Sequence, residues 1–179
     1  NKLSEKGADG MLVTMLDEIA WLTNLRGSDV EYNPVVVSYM LVTNDSATLF
    51  VGSEKIDKAV AKYLAAEGIS VAPYEKVWDA LATYDKATIL VQPLRCNAAV
   101  SRILKNSVEQ LFDESPIAAM KAVKNSTEIE GFKKAMFAEG IAMVKLLHWL
   151  KPAVEKGGVS ELDVDHKLTE LRCEDESFR

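Results

Sequence analysis

The chain has 179 residues, 48% of them hydrophobic and 27% charged, enough apolar material for one ordinary domain plus an extra piece or for two small domains, and not the composition of a disordered tail. A formal net charge of -6 argues against broad nucleic-acid binding, which needs clustered lysine and arginine to neutralise phosphates. The longest apolar runs, such as residues 34–42, fall far short of a membrane span, and the pair Cys96 and Cys173 supplies no disulfide framework, so a reducing compartment fits.

Residues 2–9 read as the last turns of a helix ending at Gly7 or Gly10 with no helix start ahead of them, and the chain stops soon after its last helix, so both ends read as cuts through a longer protein. Residues 11–15 then predict a strand, and 16–21 a helix with Asp17 and Glu18 near its start, where negative charge suits the helix dipole. Leu25, Arg26, Gly27, Ser28 and Asp29 break the pattern, and Asn33-Pro34 leads into a strand over 35–43. Asn44-Asp45-Ser46 is a turn-forming link to a second strand over 47–51, so the two form a hairpin. An amphipathic helix over 55–67 ends at Gly68, followed by a strand over 69–72, a helix over 75–83 and a strand over 88–91. Asn97 caps a helix to Leu104, and 108–112 make a final short strand. Strands alternating with helices predict an α/β unit, a mixed β-sheet flanked by helices, with the hairpin as its antiparallel part.

The periodicity turns wholly helical after 113–116, placing a boundary between a first domain, 1–115, and a helical segment, 116–179. A short helix is expected over 117–123. Thr127 and Glu130 match a capping box for a long helix that Lys151-Pro152 stops at about Leu150. Phe132, Ala135, Met136, Ile141, Val144, Leu147 and Leu150 are its apolar positions. Gly157-Gly158 marks a turn, and Ser160 with Asp163 forms a capping box for a last helix to about Cys173. Two such helices cannot bury their apolar stripes alone, which makes this face a candidate surface for self-association.

Candidate chemistry is sparse. His148 and His166 have no partner at metal-ligand spacing, and neither H-E-x-x-H nor C-x-x-C occurs, so no metal site is expected in this chain. Arg26 and Asp29 are the candidate substrate-proximal residues, because a polar turn between rigid elements is where binding groups sit. The planar fork of Arg26 suits a carboxylate or a peptide carbonyl, with Gly27 permitting positive φ or close approach of a ligand; alternatively Arg26 pairs with Asp29 or Glu31 and pins the turn. Tyr32 and Asn33-Pro34 are read as shaping the start of the strand. Cys96 follows Arg95, a basic neighbour that could lower its pKa, but lacks a histidine base, which leaves it a buried or idle thiol. Trp21, Trp78 and Trp149 fall on three separate helices and build no stacking platform.

Residues 16–39, LDEIAWLTNLRGSDVEYNPVVVSY, and above all NLRGSD at 24–29, together with Ser115-Pro116-Ile117 and MKAVKN at 120–125, resemble the cytosolic, three-domain type of Xaa-Pro aminopeptidase. The resemblance covers nearly the whole chain. It implies a middle domain of the creatinase/prolidase N-terminal type followed by the opening helices of a pita-bread metallopeptidase domain. It further implies a cytoplasmic parent, homodimeric or self-associating through its helices, that removes the N-terminal residue from peptides with proline second. Two divalent metal ions, manganese in such enzymes, would be held by two aspartates, a histidine and two glutamates downstream, with none bound by this chain, which alone would be inactive. A non-catalytic peptide-binding or protein-binding module of the same architecture, or a prolidase or creatinase relative, are the competing expectations.

Overall fold

In the computed structural model, which describes residues 2–104 and 108–178, short apolar runs bounded by turn residues become strands and the amphipathic stretches between them become helices. Two compact units result, Asn1–Val123 and Lys124–Arg179. The first contains α1 (Lys2–Glu5), β1 (Gly10–Val13), α2 (Leu16–Thr23), β2 (Ser38–Thr43), β3 (Ala47–Val51), α3 (Lys58–Ala66), β4 (Ile69–Pro73), α4 (Lys76–Ala82), β5 (Thr88–Val91), α5 (Ala98–Ile103), β6 (Glu109–Phe112) and α6 (Pro116–Ala122). The strands form one sheet in the order β4-β3-β2-β1-β5-β6. Only β2 runs against its neighbours; β3 pairs with β4, and β1 and β6 with β5, in parallel. The expected mixed sheet is therefore present, and Thr43 Oγ1 closes its hairpin by accepting from the N–H groups of Asp45 and Ser46.

Alternation along the strands divides the core. Met11, Val13, Leu49 and Leu90 pack with Ile19 of α2, Leu64 of α3 and Ile117 of α6. Leu12, Phe50, Ile89 and Val91 pack with Val77 and Leu81 of α4 and Val100 of α5. This is the period-two rule at work in strands covered on both faces.

Several element limits differ from expectation for identifiable reasons. β2 begins at Ser38 rather than Val35, because residues 35–37 pair with the loop before them. α3 begins at Lys58, since the Asp57 carboxylate accepts from Val60 N at 2.8 Å and fixes the cap there, leaving Lys55 in a separate 3-10 turn. The first unit extends beyond 115 to include α6. A buried contact holds that helix: Ser115 Oγ donates to Glu18 Oε2 at 2.8 Å while accepting from Ile117 N at 3.1 Å. Asp17 adds an ion pair to Lys121.

The second unit consists of α7 (Ser126–Lys156) and α8 (Glu161–Arg172). The cap of α7 is Asn125, two residues before the expected Thr127; its side chain accepts from Glu128 N at 2.9 Å, and Glu128 Oε2 accepts from Asn125 N at 2.8 Å. Pro152 lies inside α7 and does not end it. A proline costs about 3 kcal/mol in a helix interior, yet α7 continues to Gly157, where φ of 75° supplies the stop. The Ser160–Asp163 capping box of α8 is present as expected. Ala142, Leu146 and Leu171 are the buried centre of the hairpin, with Trp149, Val164 and Leu168 around it. Arg172 holds Glu139 through two hydrogen bonds. Phe132, Met136, Val144 and Leu147, on the face that the periodicity marked as apolar, stay exposed, and so does Phe137 beside them.

Glu18 is only 5% exposed, and burial pushes its carboxyl above the usual carboxylate range, the Ser115 hydrogen bond opposing that shift. A raised folded-state value means stability that is present at low pH and lost as pH rises through that value. Glu18→Gln, which keeps an acceptor for Ser115, is therefore expected to raise Tm at pH 7.5, with the gain fading as pH falls to about 4. Ser115→Ala, by contrast, removes a cap and the partner of a buried carboxyl, and should cost about 1–3 kcal/mol by denaturant unfolding.

Candidate functional site

Open α/β sheets take ligands outside the carboxyl ends of their strands. Here β1, β3, β4, β5 and β6 share that edge, and the reversed β2 begins at it, Ser38 lying opposite Val51. The segment 24–37 between α2 and β2 is the main excursion of the chain there. Asn24, at φ of 53°, ends α2 in the left-handed conformation. Arg26 then turns back on the helix: its Nη1 donates to Ala20 O and Leu25 O, both at 2.8 Å. A guanidinium over the last carbonyls of a helix satisfies orphan acceptors and complements the dipole. Arg26 thus pins the turn, but through backbone carbonyls and not through Asp29 or Glu31. The residue is exposed, and its other N–H groups make no hydrogen bond to a described residue.

Asp29 is held elsewhere. Its Oδ2 accepts from Lys55 Nζ and from Val37 N, each at 2.6 Å. The Lys55 ammonium, then the Val37 amide, hold its carboxyl below the usual carboxylate range. Gly27 has no positive φ, and its close neighbour is the protein itself. A Cβ there would lie 2.5 Å from Val36 Cγ2 and 3.2 Å from Val35 O, so glycine lets the two sides of the loop meet. Beyond Asp29 the chain reverses tightly, with Val30 bridging Asn33 and Asn33 N donating to Val30 O at 3.2 Å. Tyr32 stands at this tip, not at the start of the strand, with φ of 60° and 93% of its surface exposed. Nothing in the residue types marks the position, since asparagine or glycine is the usual occupant of that backbone region.

The structure therefore separates the two predicted residues. Arg26 caps a helix, and Asp29 anchors the loop to the segment after β3. Other groups at the edge are engaged as well. Tyr39 accepts from Asn97 Nδ2 at 3.2 Å, stacks on Tyr74 at 5.3 Å and meets Trp78 edge-on at 5.7 Å. Cys96 is half-buried, and burial pushes its thiol up, so Arg95 does not activate it; the Arg95 Nη1 lies instead by Met15 Sδ at 3.8 Å. Among the described residues no three histidine, cysteine, aspartate or glutamate side chains are grouped to hold a metal, and Asp17 and Asp29 already hold lysine ammonium groups. These residues do not fit a metal centre. Among the described residues, too, no helix is long and apolar enough to cross a membrane.

Comparison with known proteins agrees with this architecture. The creatinase/prolidase N-terminal domain model matches residues 1–128. A probable Xaa-Pro aminopeptidase P of Sordaria macrospora is 40% identical over 190 residues, covering 99% of this chain and 31% of that protein. The chain thus spans about a third of the length of such curated relatives. Among solved structures, an X-prolyl aminopeptidase from Caenorhabditis elegans, described as a cytosolic enzyme with a di-nuclear active site, superposes with a TM-score of 0.89 at 28% identity, over 99% of this chain and 30% of that one. An Xaa-Pro dipeptidase from Bacillus anthracis shares the fold, with a TM-score of 0.70 at 17% identity, over 96% of this chain and 46% of that one.

Two substitutions test the loop geometry. Gly27→Ala forces Val36 aside and should cost about 1–3 kcal/mol, with faster amide exchange confined to the loop and its flanks. Asp29→Asn should lower Tm at neutral pH by removing the charged acceptor. Because the carboxyl value is depressed in the folded state, that deficit should shrink as pH falls through the carboxylate range.

Proposed function

The chain belongs to the creatinase/prolidase N-terminal domain family, and from that premise we propose that it is the non-catalytic part of a metal-dependent Xaa-Pro aminopeptidase, an enzyme that releases the N-terminal residue from peptides with proline second. The observation that carries this reading is the match along 99% of the chain, at 40% identity, to a probable Xaa-Pro aminopeptidase P. Residues 1–115 are the α/β domain of this reading, and 116–179 the helical start of a pita-bread catalytic domain, with α6 docked on the α/β side by Ser115 and Glu18. The two divalent metal ions of the enzyme, manganese in this reading, are held by residues outside the described ones. The exposed face of Phe132, Met136 and Val144 is covered in the whole enzyme by the catalytic sheet or by a second copy in a homodimer. The enzyme works in the cytoplasm, and its partners are proline-containing peptides.

This chain's contribution is positional. The Glu18–Ser115 contact fixes where the helical segment departs, and the loop 24–37 offers the unbonded donors of Arg26 to a peptide carbonyl. Expression of the whole reading frame and of the 179 residues alone, each assayed on Xaa-Pro and Xaa-Ala peptides with manganese and with chelator, tests the reading. Proline-dependent release by the whole protein only is the expected result. Hydrolysis by the 179 residues alone, or none by the whole protein, overturns it. In the active protein Arg26→Ala should lower kcat/KM about tenfold, and an unchanged value removes Arg26 from the site.

A further inference from the structure

α6 is fastened to the first unit at its start alone. Ser115, Pro116 and Ile117 are buried, whereas residues 118–120, 122 and 123 are exposed. Ile117 is the side chain that the helix adds to the core beneath α2. An element with so few buried apolar contacts belongs to the low-stability end of a fold, where local opening costs least. What secures its first turn is a carboxyl. Ser115, 3% exposed, donates to Glu18 Oε2 at 2.8 Å, and the same hydroxyl oxygen accepts from Ile117 N at 3.1 Å. A neutral carboxyl accepts the Ser115 hydrogen bond as an ionised one does, so the contact itself does not require the charge.

The charges that face Glu18 come from three elements. Asp17, its neighbour on α2, repels the ionised form. Lys121 of α6 attracts that form while also pairing with Asp17, and Arg95, in the segment after β5, attracts it from beside Met15 Sδ. Burial outweighs both cations and holds the carboxyl above the usual carboxylate range. Moving α6 aside would bring water to the carboxyl and relieve that penalty, so any opening that exposes Glu18 is linked to loss of its proton. We propose that the Glu18–Ser115 contact is a proton-linked latch: α6 stays docked on α2 while Glu18 keeps its proton, and opens more readily, without unfolding of the sheet, once the proton is lost. α6 is the last helix of the unit Asn1–Val123, so the latch acts on the segment by which the chain leaves that unit.

Amide hydrogen exchange of the whole protein, followed peptide by peptide by mass spectrometry from about pH 5 to pH 8 and corrected for the intrinsic rate, tests the latch. Residues 119–123 should exchange at least about tenfold faster than β1 and β5 at every pH, the mark of a local opening. Their protection should fall at least about threefold as pH rises. Glu18→Gln keeps a partner for Ser115 without a titrating proton, and should flatten the α6 profile and leave α6 better protected than in the unaltered protein at high pH. Exchange of α6 only together with β1 and β5, a flat α6 profile in the unaltered protein, or the same slope in Glu18→Gln overturns the latch. The profile of the unaltered protein decides by itself where the variant does not fold.

Discussion

The reversal of β2 in an otherwise parallel sheet is the constraint from which the edge of this domain follows. β1 ends at the carboxyl edge, and its antiparallel neighbour must begin there. A helix after β1 carries the chain away from that edge, so α2 cannot lead directly into β2. The chain spends residues 24–37 returning, and the return path has to be built from side chains that hold a non-repetitive backbone in place. Gly27 supplies the narrow spot, Asp29 the anchor and Arg26 the closure of the helix it leaves behind. A uniformly parallel arrangement would have needed another crossover and would have produced no loop of this kind.

The same helix is fixed at its other end by a group that costs stability. Placing Glu18 under 5% exposure, beside Asp17 and with one hydrogen bond from Ser115, is less favourable than an apolar residue would be. What it secures is position. Ser115 cannot turn toward Glu18 without also capping α6, so one hydroxyl sets both the start of α6 and its place against α2. An apolar contact would hold the two helices together without fixing that register.

How far the sequence could be read differs by element. Strands over 47–51 and 88–91 were legible residue for residue, because each is a short continuous apolar run with β-branched residues, bounded by turn residues and too short for a helix. Element ends were less legible wherever two capping residues lay close together. Asn125 and Thr127 both suit a helix start, and only the reach of Glu128 back to the Asn125 amide decides between them. Pro152 misled for the opposite reason, since a proline penalises a helix interior without forbidding it, and α7 runs on to Lys156 before Gly157 caps it. At the site, the residue types at 26 and 29 were informative but their partners were not. Lys55 and the carbonyl of Ala20 become neighbours only once the chain has folded, so spacing along the sequence pointed to the wrong pair. Tyr32 was noticed but misplaced at the start of the strand, because a left-handed tyrosine runs against local preference and only tertiary contacts at the loop base impose it.

The α7–α8 hairpin closes both of its helix starts from within. Asn125 with Glu128, and Ser160 with Asp163, satisfy the first amides of each helix using residues three apart. Its apolar seam joins residues of the same two helices across one glycine turn. Contacts this short in sequence are the ones that form in microseconds, whereas the six-stranded sheet must wait for pairings such as β1 with β5. The contacts of the hairpin are thus complete within one continuous stretch of chain, while the sheet closes only when segments far apart in sequence meet.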